Sequence, residues 1–174
     1  MTRRKHQPLS LGLLLATVLA GACQPAGELG GSMGGTFSLQ FDRVLAYRLG
    51  SELVVVFEAK RDLKNPVRPY GFEVTNQIAR LTFHTDRQAI EVGTELAFGG
   101  GDASPALSVE RYVLGEDGEG RFQQEAQLPK LLRATARFDK LPEGTTGTVK
   151  GKFDAVFVNQ DVLWGDFEAE LSAP

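Results

Sequence analysis

The chain has 174 residues, with 19 Lys+Arg against 22 Asp+Glu, two His, one Cys and one Trp. A hydrophobic content of 42% excludes a disordered chain, and a single Cys excludes an internal disulfide framework. A sequence pI near 5.5 argues against nucleic acid as a partner.

Residues 1–22 have the three-part layout of a secretory signal peptide. Arg3, Arg4 and Lys5 form a positive start, Leu9 to Leu19 is an apolar run, and Ala20-Gly21-Ala22 supplies small residues before Cys23. The apolar run is shorter than the roughly 20 residues a membrane-spanning helix needs. Its removal takes away three positive charges, leaving 16 basic and 22 acidic residues and a formal charge of −6. Such a body is repelled by anionic lipid rather than held by it.

Ala20-Gly21-Ala22-Cys23, with Leu19 one place earlier, resembles the lipobox of a bacterial lipoprotein precursor. The resemblance covers the signal alone, and the folded body is not matched to a family on its motifs. It implies acylation of Cys23 with two or more chains such as palmitate, and a protein exported and lipid-anchored to the cell envelope, at the outer membrane or the cell surface. Membrane lipid, through Cys23, is the partner it implies. Two chains hold a protein stably at a bilayer, whereas one is marginal.

Gln24 to Gly35 reads QPAGELGGSMGG, and residues 23–35 are expected to form the lipidated Cys and a flexible Gly-rich tether. A linker of this kind reaches roughly 20 Å. Residues 36–174 then show a period of two. Phe37, Leu39 and Phe41 alternate with polar residues, and the phase slips to Val44 and Ala46, which predicts a bulge near Asp42-Arg43. Leu53-Val54-Val55-Val56-Phe57 suits a central strand covered on both faces. Pro66 and Pro69 demote their neighbourhood to an edge or a loop. Ala79, Leu81 and Phe83 alternate, as do Leu132, Ala134, Ala136 and Phe138. Asp117-Gly118 marks a hairpin turn between Tyr112-Val113-Leu114 and Arg121-Phe122. The expectation is an all-β fold: a single antiparallel β-sandwich, with a barrel-like form as the alternative.

A 14-residue repeat closes the chain. Val149-x-Gly151-x-Phe153-x-Ala155-x-Phe157 matches Leu163-x-Gly165-x-Phe167-x-Ala169-x-Leu171. The offset is too short for a solenoid and fits one hairpin turning at Asn159-Gln160-Asp161. Placing Phe153 opposite Phe167 sets Lys150 against Glu170, Lys152 against Glu168, Asp154 against Asp166, Val156 against Trp164 and Val158 against Val162.

Trp164, with Val156, Val158 and Val162, is the candidate binding surface, because a Trp on an outward face marks a binding hot spot. An envelope protein or a glycan is the candidate ligand. Asp154 and Asp166 are candidate Ca²⁺ ligands, or a carboxylate pair for glycan hydrolysis, with no further ligands in sight. Glu116-Asp117-Gly118-Glu119 lacks the spacing of a calcium loop, and Gly99-Gly100-Gly101 lacks the Lys-Ser/Thr of a phosphate loop. His84 alternates toward solvent. No catalytic residue and no cofactor is assigned. The leading expectation is a lipid-anchored, non-catalytic binding or structural module; a glycan hydrolase and a Ca²⁺-binding sandwich are the alternatives.

Overall fold

The computed structural model describes residues 27–60, 75–99, 106–116, 122–126 and 128–172. The signal segment, Cys23, Pro66, Pro69, Gly100-Gly101 and the Asp117-Gly118 turn lie outside them. The described chain is all-β. In order it contains β1 (Gly27–Gly30), a 3₁₀ turn η1 (Ser32–Gly35), β2 (Arg43–Leu49), β3 (Glu52–Lys60), β4 (Thr75–His84) and β5 (Glu95–Gly99). β6 (Leu107–Glu116), β7 (Phe122–Ala126), β8 (Leu131–Lys140), β9 (Gly147–Phe157) and β10 (Val162–Ser172) follow.

One mostly antiparallel sheet runs β5-β8-β9-β10-β2-β3-β4-β6-β7 and does not close into a barrel. Its two halves stack, as ring contacts between distant strands show. Phe83 on β4 meets Phe98 on β5 and Phe138 on β8, with centroids 5.9 and 5.0 Å away. Phe57 on β3 meets Phe153 on β9 at 6.1 Å. This is a sandwich made by folding one sheet. The fold line is the β10–β2 junction, a parallel pairing of only two positions, Leu171 with Ala46 and Ser172 with Tyr47.

β3 is the central strand its sequence implies: all of Leu53–Phe57 is buried. β4, β8, β9 and β10 place their alternating apolar residues inward. β6 and β7 form the expected hairpin, with Glu116 opposite Phe122. Two local expectations fail. Phe37, Leu39 and Phe41 lie on a segment that joins no ladder, although all three pack against the core. β2 begins at Arg43, so the phase slip marks a strand start rather than a bulge. The register shifts lie elsewhere: between Phe57 and Glu58, Gln77 and Arg80, Phe138 and Lys140, and Leu131 and Arg133. The last of these turns Leu132 outward, 41% exposed, where alternation had placed it inside.

The flexible tether is corrected from Gly27 onward, residues 23–26 lying outside the described residues. Gly27–Gly30 is a strand on the free edge of β10, pairing Gly27 with Phe167 and Gly30 with Trp164. β2 meets only the last residues of β10, Leu171 and Ser172, so β1 fills the edge that remains. Glycine makes this approach possible: a Cβ at Gly165 would stand 2.6 Å from the Glu28 carbonyl oxygen, and one at Gly27 would overlap the Asp166 carbonyl. In η1, Met33 enters the core with 1% exposure. The Val162 amide donates to Ser32 Oγ at 2.8 Å, and that hydroxyl donates to Asp161 Oδ1 at 3.2 Å. Glycine content signals flexibility in a chain without partners; here it permits close backbone packing instead.

Candidate functional site

The candidate surface is the outer face of β9 and β10, so the register of that hairpin decides its geometry. The repeat does form one hairpin, but two residues out of the expected phase. Gly165 lies opposite Phe153, and Gly151 opposite Phe167. The glycine of each repeat unit therefore meets the phenylalanine of the other. A Cβ at Gly151 would sit 2.9 Å from the Phe167 ring, and one at Gly165 2.9 Å from the Phe153 ring. Each ring lies on bare backbone instead of competing head-on with another ring. A two-residue slip keeps every side chain on its face, which is why alternation alone cannot detect it.

This register rearranges the charges. Lys150 faces Glu168, with Nζ 2.7 Å from Oε2, and Lys152 faces Asp166. The like-charged Asp154–Asp166 pair disappears: Asp154 faces Trp164 instead. Glu168 is held below the usual carboxylate range, first by its hydrogen bond from Lys150 and then by that charge. Lys150 is raised for the same two reasons. Asp166 Oδ1 accepts from the Glu28 amide at 2.6 Å, so this carboxylate helps hold β1. Asp154 and Asp166 are thus diagonal neighbours, with Asp154 opposite Trp164 and Asp166 opposite Lys152. Among the described residues no three His, Cys, Asp or Glu side chains gather as metal ligands.

Trp164 is 38% exposed on this face. Its ring lies over Gly30 of β1, where a Cβ would stand 2.5 Å from Cζ2. A glycine shelf therefore supports one edge of the indole, and a little over a third of the residue meets solvent. Beside it is a shallow depression of about 380 Å³ lined by Lys152, Phe153, Asp154, Trp164, Gly165 and Asp166. Val156 is half-buried opposite Val162, and Val158 sits in the turn, 50% exposed. Val158 and Val162 are not cross-strand partners, contrary to the expected register. Their turn is set by the Gln160 amide donating to the Phe157 carbonyl and by Gln160 at φ 70°. Asn159 and Asp161 bond each other across it.

Leu132 belongs to the same surface and was missed. It occupies the β8 bulge where β8 meets this end of β9, and the Val158 amide donates to the Lys130 carbonyl at 3.0 Å. No alternation rule reveals an outward Leu at a bulge. Gly30 was also missed, since nothing in a Gly-rich run announces its partner.

Two other groups are structural. His84 is not bare to solvent: its Nδ1 lies 3.4 Å from Glu52 Oε1 on the neighbouring strand. Arg111 is 6% exposed and donates to the carbonyls of Ser38 and Ile78, with its guanidinium 5.0 Å from the centre of the Phe37 ring. Burial lowers its pKa from the ordinary arginine value. It fastens the Phe37–Phe41 segment to β4. Leu107 and Val109 are buried at the same parity, the signal that foretells an inward Arg111.

No family model matches this chain, and no curated protein or solved structure matches it either. Among the described residues no helix is long and apolar enough to cross a membrane.

Proposed function

We propose that this protein is an exported lipoprotein whose β-sandwich is a non-catalytic binding module, held at the cell envelope by acylated Cys23. The lipobox-like Ala20-Gly21-Ala22-Cys23 supports the anchor. The observation that carries the binding role is the half-exposed Trp164, braced on Gly30 at an apolar sheet end with Val156, Val158, Val162 and Leu132. An indole held in place loses little freedom on binding, and Trp concentrates binding energy where it is desolvated. The surface is broad and shallow, which suits an extended ligand more than a small substrate held for chemistry.

The test has two parts. Mass analysis of the mature protein should show Cys23 bearing acyl chains, and Cys23→Ser should move the protein from the membrane to the soluble fraction. In the domain without its signal, Trp164 emission should be red-shifted and open to aqueous quenchers. An unmodified Cys23 would remove the anchor, and a blue-shifted, protected Trp164 would remove the binding surface.

A further inference from the structure

Trp164, Val158 and Leu132 are three of the five large hydrophobic side chains exposed in the described chain, and adjacent strands bring them to one end of the sheet. Val156 and Val162 fill the space between them in register. Lys130, Arg133 and Lys152 are exposed around this end, with Asp154 and Asp166 among them. An aromatic and aliphatic patch rimmed by cations of long reach, with acids interspersed, matches the zwitterionic headgroup layer of a bilayer. There indoles settle at the water boundary, and Lys and Arg extend toward phosphate.

The docked N-terminal strand says which bilayer. Only residues 24–26 separate Cys23 from β1. Fully extended, the step from Cys23 to Gly27 spans at most about 14 Å. β1 itself adds about 10 Å before Gly30 reaches Trp164. β1 runs from Phe167 toward Trp164, so Cys23 enters from the side away from the turn, and the step of about 14 Å is long enough to fold back over the roughly 10 Å of β1 and bring the anchor level with Trp164. A free twelve-residue tether would let the domain turn any face to any partner; a strand locked to β10 does not. An anchored surface meets its own membrane at a high effective concentration, whereas a soluble partner must diffuse to it.

We propose that the Trp164–Val158–Leu132 end of the sheet seats in the headgroup layer of the bilayer that holds Cys23. It acts as a second membrane contact that orients the domain. This rests on the anchor reading above and names the partner of the surface described there.

The only Trp in the chain is the probe. The mature chain would be placed on phosphatidylcholine vesicles, either as the natural acylated form or coupled through the Cys23 thiol to a maleimide lipid. On vesicles, Trp164 emission should shift blue, and its access to acrylamide should fall by about twofold or more, as an interfacial indole requires. Lipids brominated near the headgroup should quench it more than lipids brominated near the chain ends. Leu132→Asp with Val158→Asp should reverse these changes while leaving the melting temperature of the free domain within about 2 °C, as expected of surface sites. Emission and quenching unchanged by vesicles would overturn the proposal. Protection that appears only on adding oligosaccharide, or only as protein density rises, would also overturn it in favour of a glycan or of a second copy. Failure of the anchor reading is separate: it appears as an unmodified natural Cys23, while the maleimide-coupled form still tests the seating.

Discussion

Met33→Ala tests whether the Gly-rich segment after Cys23 is part of the domain. Met33 is 1% exposed and belongs to the main core cluster, so its truncation removes buried thioether and methylene contacts and leaves a cavity. Substitutions of this type cost about 2–5 kcal/mol. At this chain length each kcal/mol moves the melting temperature by about 3 °C, so the variant should melt about 6–15 °C lower. A Met on a solvated tether would change stability by no more than about 0.5 kcal/mol. The two cases are therefore well separated. The assay is thermal unfolding of the signal-free domain, followed by far-ultraviolet circular dichroism and by Trp164 emission. Because Trp164 rests on Gly30, its emission also reports whether β1 leaves β10. The two signals should change together in the parent protein, as in a single cooperative unit. Met33→Leu, which conserves volume, should lose less than about 1.5 kcal/mol. A Met33→Ala variant melting within about 2 °C of the parent would refute the reasoning, because surface substitutions behave that way.

Gly165→Val should be destabilising by about 1–3 kcal/mol, since its Cβ would press on the Glu28 carbonyl and the Phe153 ring. Amide exchange should show protection lost first at Glu28 and Leu29. Phe138→Ala should cost about 3–5 kcal/mol, because Phe138 bridges Phe83 and Phe167 across the two halves; denaturant unfolding measures this. The Lys150–Glu168 pair gives a pH signature with a definite sign. The lowered Glu168 pKa contributes stability that is present above the ordinary carboxylate range and lost as pH falls through the lowered value. The raised Lys150 pKa contributes stability that is present below the ordinary lysine value and lost as pH rises through the raised one. Glu168→Gln should therefore lower the urea midpoint at pH 7, and the difference from the parent should close at strongly acidic pH.

What could be read from the sequence depended on side-chain periodicity. β4, β8, β9 and β10 carry their inward residues at every second position, β3 is a continuous apolar run buried on both faces, and the sandwich follows from them. The repeat announced the last hairpin, and Trp164 was legible as an outward aromatic. What escaped was specified by missing side chains or broken alternation. β1 has one large apolar residue, Leu29; its pairing rests on the lack of Cβ atoms at Gly27 and Gly165. The hairpin register turned on glycine meeting phenylalanine, a preference that residue-for-residue similarity does not express. Leu132 points outward because a bulge resets its phase, and a bulge needs its partner strand to be seen. The Phe37–Phe41 alternation was real as packing and misleading as a ladder.

The pairing of the first strand with the last bears on how the molecule is assembled. The Glu28 amide reaches Asp166 across 138 residues. Closing a loop of that length carries a large entropic cost and tends to come late in folding. A chain delivered amino end first exposes β1 at the outset and its partner only at the finish. Until Val162–Ser172 arrives, Met33 has no complete socket and Ser32 lacks the Val162 amide. The amino-terminal segment thus works as a completion latch. A protein cut short by its final dozen residues would lose the partner of β1 and the junction between the two halves of its sheet together, and its unlatched amino-terminal segment would be open to proteolysis.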